Sequence, residues 1–410
     1  MKSCHPIFHP LATCLLTGLL ISPVQAEGTT EERLQTLERR LNQLENENRA
    51  LKLQASQTEQ KIEATGAQID RMAGSQSGTA KAATTIGGYG ELHLNQLKNL
   101  KPGGTDKDEI DFHRFVLFVG HEFNQRVRLF SELEIEHALV KDSSSNGSTV
   151  AVEQAYLDFI LNEQFSLKAG LMVVPVGILS ETHEPPTFYG VERNPVETNI
   201  IPTTWREGGV ALNARMAHGF SADFALTSGL ATTSGNNYRV RDGRTHTANA
   251  RASDAAYTAR LKWSGVPGVE LAATVNRQSD ITQSIDPAAG AATLYETHAV
   301  VNRGAFGLRA LYAAWHLNGN GPKAIGADRQ NGWYVEPSWK FNDQWGVFAR
   351  HNRWDNAAGD AANSRFDQTD VGVNYWPHPD VVVKLDFQNQ KVPVGQNEFD
   401  GFNLGLGYQF

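Results

Sequence analysis

Large apolar and small or polar side chains alternate over many short stretches in the second part of the chain. The clearest stretch is 402–410, in which every second residue from Phe402 to Phe410 is apolar and the residues between them are Asn, Gly or Gln. Because successive side chains of a β-strand point to opposite faces, this stretch has one apolar and one polar face. The pattern predicts a strand with lipid on one side and water on the other.

Sixteen such strands are predicted between residues 84 and 410, and short and long connections alternate between them. The predicted strands are 84–95, 110–123, 126–140, 149–161, 165–173, 208–216, 220–228, 254–263, 269–279, 293–302, 305–316, 332–341, 344–353, 366–376, 381–390 and 399–410. Soluble propellers also have many short strands, but an even strand number with tight turns on one rim is typical of outer-membrane barrels. We therefore predict an all-β fold, a 16-stranded antiparallel transmembrane β-barrel preceded by an α-helical coiled coil.

An aromatic girdle is predicted beside the short turns, which would face the periplasm together with both ends of the chain. Its predicted members are Phe123, Phe165, Phe220, Trp263, Phe341, Trp345, Trp376 and Phe410. The strand 402–410 is expected to pair with the first strand near 87–95 and close the barrel.

In the amino-terminal part of the chain, apolar residues recur with a different period. Over residues 27–72 a 3-4 heptad spacing predicts a coiled coil, with charges of opposite sign at positions that face each other in a parallel assembly. The predicted oligomerisation residues are Leu34, Leu37, Leu41, Leu44, Asn48 and Leu51. Leucine at both core positions leaves the number of helices open, and Asn at an a position is commonest in dimers. Residues 73–83 have the composition of a flexible linker.

The first 26 residues have the pattern of a cleaved export signal, with Lys2, an apolar core and Val24-Gln25-Ala26. Both cysteines, Cys4 and Cys14, lie within it, so neither a disulfide nor a thiolate metal site is expected in the exported protein. Lipidation at Cys14 fits poorly. A net charge of −8 argues against a broad nucleic-acid footprint. Together these features predict the outer membrane of a Gram-negative bacterium, with the coiled coil in the periplasm.

A barrel of sixteen strands encloses a water-filled lumen, so passive passage of solutes is the expected function. Strand alternation places charged side chains on the inner wall, and two arginines lie in the longest connection. The predicted pore-lining or selectivity residues are Arg126, Arg128, Glu132, Glu134, Arg193, Arg206, Arg260, Arg350 and Lys384. The connection at 174–207 is rich in apolar, aromatic and proline residues, which predicts a loop that folds into the lumen and constricts it. An extracellular lid or a subunit contact is the alternative.

Three segments resemble the phosphate-selective porin O and P family: Asp111 to Phe115, Phe130 to His137, and Glu184 to Pro195. The resemblance extends over the whole barrel and implies a trimeric porin for small hydrophilic, anionic solutes of the phosphate or dicarboxylate class. Relatives with a coiled coil resemble dicarboxylate channels. This chain departs from the strongly basic constriction of phosphate-selective members, because residues 174–207 contain two arginines and five glutamates. The resemblance therefore does not extend to phosphate specificity.

Two other functions are compatible with a barrel. The coiled coil would tie the outer membrane to another envelope component if the barrel served only as an anchor. An outer-membrane hydrolase would need a nucleophile and a base, for which Ser180, Glu181 and His183 are near in sequence but lack a known motif. Glu181, His183 and Glu184 form a weak metal-binding pattern. We expect a porin rather than an enzyme, without a cofactor.

Overall fold

The computed structural model describes residues 83–138 and 150–410, and sixteen antiparallel strands close into one barrel in this part of the chain. The strands are β1 (Ala83–Asn99), β2 (Lys107–Asn124), β3 (Val127–Glu136), β4 (Val150–Ile160), β5 (Phe165–Val173), β6 (Arg206–Arg215), β7 (Phe220–Thr227), β8 (Ala256–Val266), β9 (Val269–Gln278), β10 (Ala292–Arg303), β11 (Phe306–Leu317), β12 (Arg329–Lys340), β13 (Trp345–Asp355), β14 (Phe366–His378), β15 (Val381–Lys391) and β16 (Phe399–Gln409). Two short helices are α1 (Pro195–Asn199) and α2 (Asn320–Ala324). The predicted barrel and its strand number are confirmed.

The barrel closes between its first and last strands. β1 and β16 are antiparallel, with Asn95 opposite Asn403, and the backbones of Gly88 and Phe410 exchange two hydrogen bonds of 2.9 Å. The predicted pairing of these segments is therefore confirmed. Since every strand has two hydrogen-bonded neighbours, no strand edge of the ring is left open.

Side chains alternate between the outer and inner surfaces as the sequence pattern predicts. In β16, Phe402 is 55% exposed on the outer surface, whereas its neighbour Asn403 is 1% exposed on the inner surface. Asn403 finds hydrogen-bond partners there in Asn95 and Asp386. The outer face is thus apolar and suited to lipid, and the inner face carries a network of polar side chains.

Short turns and longer loops occupy opposite rims. The two widest connections are loop 3, residues 174–205 between β5 and β6, and loop 4, residues 228–255 between β7 and β8. Loop 3 is two residues shorter than predicted because β6 already begins at Arg206. Among residues 83–138 and 150–410, no helix has the length and apolarity to cross a membrane.

Trp376, which was predicted to belong to the aromatic girdle, faces the inner surface of the barrel. Trp376 is 7% exposed, its ring lies edge-on 5.5 Å from Tyr189 of loop 3, and its Nε1 donates to the carbonyl oxygen of Pro186 at 3.3 Å. The neighbouring Tyr375 stacks on Trp345 instead, at 4.4 Å between ring centroids. The prediction for Trp376 was wrong because Trp376 lies on the inner face of β14, together with Asp370 and Asn374.

Three predicted segments lie outside the described residues: the export signal (1–26), the coiled coil (27–72) and nearly all of the linker (73–83). The same holds for the predicted oligomerisation residues Leu34, Leu37, Leu41, Leu44, Asn48 and Leu51. The predicted third strand also extended to residue 140, whereas β3 ends at Glu136.

Candidate functional site

Loop 3 lies inside the barrel and packs against its inner wall. Its apolar side chains, including Val196, Ile200 and Trp205, are fully buried in a cluster with side chains of β10 to β13. Trp315 of β11 donates from Nε1 to the carbonyl oxygen of Ile200 at 3.0 Å. Burying a large apolar side chain contributes roughly 1.5–3 kcal/mol, so this cluster fixes the second half of the loop firmly.

The first half of loop 3 crosses to the strands on either side of the barrel closure. A 3-10 turn at Pro185–Thr187 contacts β1, β15 and β16. Gly407 of β16 permits this approach, because a Cβ at that position would overlap the ring of Pro185. A residue without a side chain is needed where the proline ring comes this close to the strand backbone.

Three of the predicted selectivity residues hold loop 3 to the wall. Arg260 of β8 donates two hydrogen bonds to Glu181, and Lys384 of β15 donates to the carbonyl oxygen of Gly190 at 2.8 Å. Arg350 of β13 pairs with Glu336 and Asp370 and also donates to the carbonyl oxygens of Tyr189 and Glu192 at 3.4 Å each. All three are at most 5% exposed, so their charges are committed to protein partners.

Four other predicted residues lie on β3 or in the turn that precedes it. Glu132 accepts a hydrogen bond from Gln154 at 2.7 Å, and Glu134 accepts one from Arg114 at 3.2 Å. Both carboxylates are buried on the inner face. Arg128 lies 3.4 Å from Glu122 near the short-turn rim. Arg126 belongs to the turn itself and is exposed, so the expectation that it lines the inner wall was wrong.

The five glutamates of residues 174–207 are each committed to partners within the protein or withdrawn into its interior. Burial alone would raise the pKa of Glu181, but Arg260 outweighs it and lowers that pKa to about 2. Burial would also raise the pKa of Glu192, but the larger effect of the nearby His93 holds that pKa far below the usual range. Burial raises the pKa of Glu184, which favours its neutral form.

Two of these carboxylates organise the backbone of the loops. Glu197 accepts hydrogen bonds from the backbone N–H groups of Ile178 and Leu179 at 2.8 and 2.7 Å, and from the hydroxyl of Tyr334 at 2.8 Å. Glu207 accepts from Nε1 of Trp205 and from the backbone N–H of Gly229, both at 2.8 Å. Counting loop charges from the sequence therefore overstates the negative charge available to a solute.

Four arginines converge on the end of loop 3, and we call them the arginine cluster: Arg193, Arg206, Arg241 and Arg244. Arg193 donates to the hydroxyl of Thr204 at 3.0 Å, and Arg206 follows two residues later. From loop 4, Arg241 and Arg244 both donate to the carbonyl oxygen of Thr203, at 3.2 and 3.4 Å. Two loops that are distant in sequence thus build one basic site.

Three of the four arginines in the cluster lack a direct ion pair among the described residues. Arg206 pairs with Glu153. Within residues 83–138 and 150–410, no carboxylate forms an ion pair with Arg193, Arg241 or Arg244. Burial and the neighbouring guanidinium groups lower the pKa of Arg241 to about 10, so it remains charged at neutral pH.

Several nitrogen atoms of this site are buried without an acceptor in the described part of the chain. They are Nε and Nη2 of Arg193, Nε of Arg206 and Nε of Arg244. Nδ1 of the neighbouring His246 is likewise buried without a partner in the described residues. Buried donors are nearly always paired in folded proteins, so each unpaired donor needs an explanation, such as a bound anion. Burial, Arg206 and Arg244 together lower the pKa of His246 to about 4, so this imidazole is neutral at pH 7.

Sequence reasoning identified Arg193 and Arg206 and missed Arg241 and Arg244. The available signal was Arg239, Arg241 and Arg244, three arginines within six residues of a long loop. Alternation along strands does not indicate where a loop folds, so this signal was not connected with the pore.

The residues suggested for a hydrolase or a metal site do not come together. The nearest described partner of the Ser180 hydroxyl is the hydroxyl of Thr203 at 3.4 Å, and His183 is near the carbonyl oxygen of Ser180 rather than its hydroxyl. Glu181 is bound to Arg260, and His183 instead faces Glu132 and Glu153 at 3.4 and 3.7 Å. Neither a nucleophile with its base nor the trio Glu181, His183 and Glu184 is assembled here.

Known structures share this fold at low sequence identity. The outer membrane channel DcaP of Acinetobacter baumannii is 12% identical with a TM-score of 0.55, over 82% of this chain and 99% of that one. The anion-selective porin from Comamonas acidovorans is 13% identical with a TM-score of 0.54, over 80% of this chain and 100% of that one. The trimer form of OmpT from Vibrio cholerae is 11% identical with a TM-score of 0.53, over 81% and 100%.

Sequence comparisons give a closer relationship. An uncharacterized protein of Aquifex aeolicus (strain VF5) is 45% identical over 132 residues, which are 32% of this chain and 29% of that protein. The match therefore spans less than a third of that relative. A model of the phosphate-selective porin O and P family matches residues 86–410, which is the whole barrel from β1 to β16. The resemblance is confirmed, and the chain belongs to the phosphate-selective porin O and P family of outer-membrane porins.

Proposed function

We propose that this porin lets small hydrophilic anions of the phosphate or dicarboxylate class diffuse passively through its pore, and that the arginine cluster is its anion site. One observation carries the proposal: the guanidinium groups of Arg193, Arg241 and Arg244 lie at the same end of loop 3. None of the three forms an ion pair with a carboxylate in the described part of the chain. Guanidinium groups match the planar oxygen pairs of carboxylates and phosphates.

The site is suited to permeation rather than tight retention. Two opposite unit charges 4 Å apart attract by about 4 kcal/mol at an effective dielectric constant of 20. Arg193, Arg241 and Arg244 already donate part of their hydrogen-bonding capacity to threonine oxygens, so an anion replaces or shares existing bonds. Conduction needs binding that is favourable enough to attract a solute and weak enough to release it.

Loop 3 serves as the constriction in this proposal. Its apolar side chains pack on one part of the wall and its polar backbone is held by Arg350 and Lys384 on another. A loop fixed at both places narrows the passage in a constant way and presents Arg193 to the solute, beside Arg206 at the start of β6.

The assembly belongs to the same proposal. After removal of an export signal, residues 1–26, the coiled coil at 27–72 would join three barrels on the periplasmic side of a Gram-negative outer membrane, through the linker at 73–83. Complementary charges such as Arg33 with Glu38 support a parallel coiled coil. The similarity of the barrel to OmpT, which is described as a trimer, is compatible with three copies.

Reversal potentials in a KCl gradient across planar bilayers test the proposed function. The wild type should prefer anions, and Arg193→Gln, Arg241→Gln and Arg244→Gln combined should lower the anion-to-cation permeability ratio by roughly threefold or more. Arg239→Gln is the matched control, because Arg239 is in the same loop but faces Asp242 at 3.8 Å. An unchanged ratio in the triple variant would refute the anion site, and absence of any current in the wild type would refute the open pore.

A further inference from the structure

A group of metal-binding side chains lies where β2 and β3 meet the long-loop rim. Asp111 and His113 belong to the first part of β2, and His137 directly follows the last residue of β3. Nδ1 of His113 is 3.1 Å from Oδ2 of Asp111, and Nδ1 of His137 is 2.9 Å from the same oxygen. One atom from each of the three side chains lies within 4.8 Å of the other two.

Asp111 and His113 share a face of β2 because they are two residues apart, and a β-bulge places that face beside His93 of β1. Opposite β1, Glu91 pairs with Arg114 and His93 with Asp111, so three steps along β2 match two along β1. Such an extra residue changes the direction of the side chains beside it. His113 consequently stacks on His93, which is 4% exposed on the inner face, with 4.6 Å between the ring centroids.

His137 reaches the group through an unusual backbone conformation. Its φ angle is 57°, in the left-handed region that non-glycine residues rarely adopt. Its backbone N–H donates to the carbonyl oxygen of His113 at 3.2 Å. Residues in such conformations often occur at ligand sites, where the surroundings stabilise them.

We propose that Asp111, His113 and His137 bind a divalent transition-metal ion of the zinc class. Two imidazole nitrogens and one carboxylate oxygen suit Zn²⁺, which forms bonds of about 2 Å to such ligands, and are a poor match for Ca²⁺ or Mg²⁺, which prefer all-oxygen sites. The side chains of Asp111, His113 and His137 are 22%, 30% and 37% exposed, so an ion from solution can reach them. Three protein ligands leave a fourth position for water.

A second layer of side chains orients the site. His93, which stacks on His113, lies 3.2 Å from Glu192 of loop 3 and 3.3 Å from Glu91 of β1. Carboxylates outside the ligand set help to orient metal sites, and here Glu91 and Glu192 hold His93, whose ring packs on that of His113. The layer also joins the metal site to loop 3, so a bound ion stabilises the wall on which the proposed constriction rests.

Isothermal titration of the untagged, detergent-solubilised protein with ZnCl₂ tests the proposal. One ion per chain is expected, and His113→Ala or His137→Ala should weaken binding at least about tenfold. His316→Ala is the matched control, because this exposed histidine contacts the ring of Tyr295 on the outer surface. Absence of Zn²⁺ binding by the wild type, or equal binding by all variants, would overturn the proposal.

Co²⁺ provides an independent measurement. Visible absorption typical of a nitrogen and oxygen ligand set should appear in the wild type and in His316→Ala and be lost in His137→Ala. Heat-modifiable migration of the barrel in gels establishes that each variant is folded. If either histidine variant fails this check, Asp111→Asn, which keeps the side-chain shape, replaces it, and full Zn²⁺ and Co²⁺ binding by that variant would contradict the proposed ligand set.

Discussion

Arg260 of the barrel wall and Glu181 of loop 3 are joined by two hydrogen bonds, from Nη1 at 2.6 Å and from Nη2 at 3.1 Å. Arg260 also reaches Asp223 of β7 at 2.7 Å, so the guanidinium group connects two strands of the wall with loop 3. Such two-bond pairs between arginine and a carboxylate are directional as well as strong. The first half of loop 3 is therefore held by a contact that a single substitution can remove.

Arg260→Gln should release the first half of loop 3 and increase single-channel conductance, with larger current fluctuations. The reason is that Glu181 loses its cationic partner and leaves a partly buried negative charge. Single-channel recording in planar bilayers measures the effect. Arg277→Gln, at an exposed arginine that donates to Thr293, should leave conductance unchanged. Equal conductance of both variants would contradict the assigned role of Arg260.

Tyr334→Phe should weaken the second half of loop 3 without removing the loop from the lumen. The change deletes the hydroxyl that donates to Glu197 at 2.8 Å, and hydrogen bonds to charged groups contribute roughly 1.5–3 kcal/mol. We expect a lower midpoint in heat-modifiability gels. Tyr312→Phe, at a tyrosine that is 47% exposed on the outer surface, is the control. Identical midpoints would show that the hydroxyl contributes little.

Anion preference should depend on His246 only in acid. Because its pKa is lowered to about 4, this imidazole is neutral from pH 8 to about pH 5 and gains a positive charge as the pH falls through about 4. Carboxylates also become neutral in that range, so the informative quantity is the difference between the wild type and His246→Ala. Reversal potentials should coincide above pH 5 and separate near pH 4. A difference at pH 7 would mean that His246 is already charged there.

Substitutions in the predicted heptads should weaken the proposed trimer and spare the barrel. Leu37→Asn with Leu44→Asn places polar groups at two core positions, whereas Gln35→Asn with Gln43→Asn changes only positions on the outside of the predicted coiled coil. Sedimentation analysis of the purified porin should show dissociation for the first pair alone. If trimers with leucine substitutions were as stable as the wild type, the helices would have another partner.

The strands of this barrel could be predicted because their pattern is local. A lipid face and a water face impose alternation on each strand separately, and β16 shows it from Phe402 to Tyr408. The same rule, applied fully to β14, would have placed Trp376 on the inner face with Gln368 and Asp370. Trp376 was misassigned because its position beside a short turn was given more weight than its place in the alternation.

The candidate site was harder to predict because its parts come together only in three dimensions. Arg241 and Arg244 meet Arg193 at the end of loop 3, although nothing in the spacing of these residues relates the two loops. The sequence suggests that the glutamates of residues 174–207 are pore charges, whereas Glu197 and Glu207 accept hydrogen bonds from N–H groups within the protein. The charge that a solute meets in the lumen is what remains after basic and acidic side chains have paired within the protein. Because the partners are far apart in the sequence, this pairing cannot be predicted from local patterns.

The contact between β1 and β16 also determines when the barrel can form. Asn95 and Asn403 are 308 residues apart in the chain and share a hydrogen bond of 2.7 Å. A growing chain that lacks β16 has an unpaired edge on β1 and another on the most recently made strand, and such edges pair readily with other chains. A partly assembled barrel in which β16 has not yet paired with β1 is therefore prone to aggregation. The pairing of β1 with β16 removes both edges in one step, because these two strands are neighbours in the closed ring.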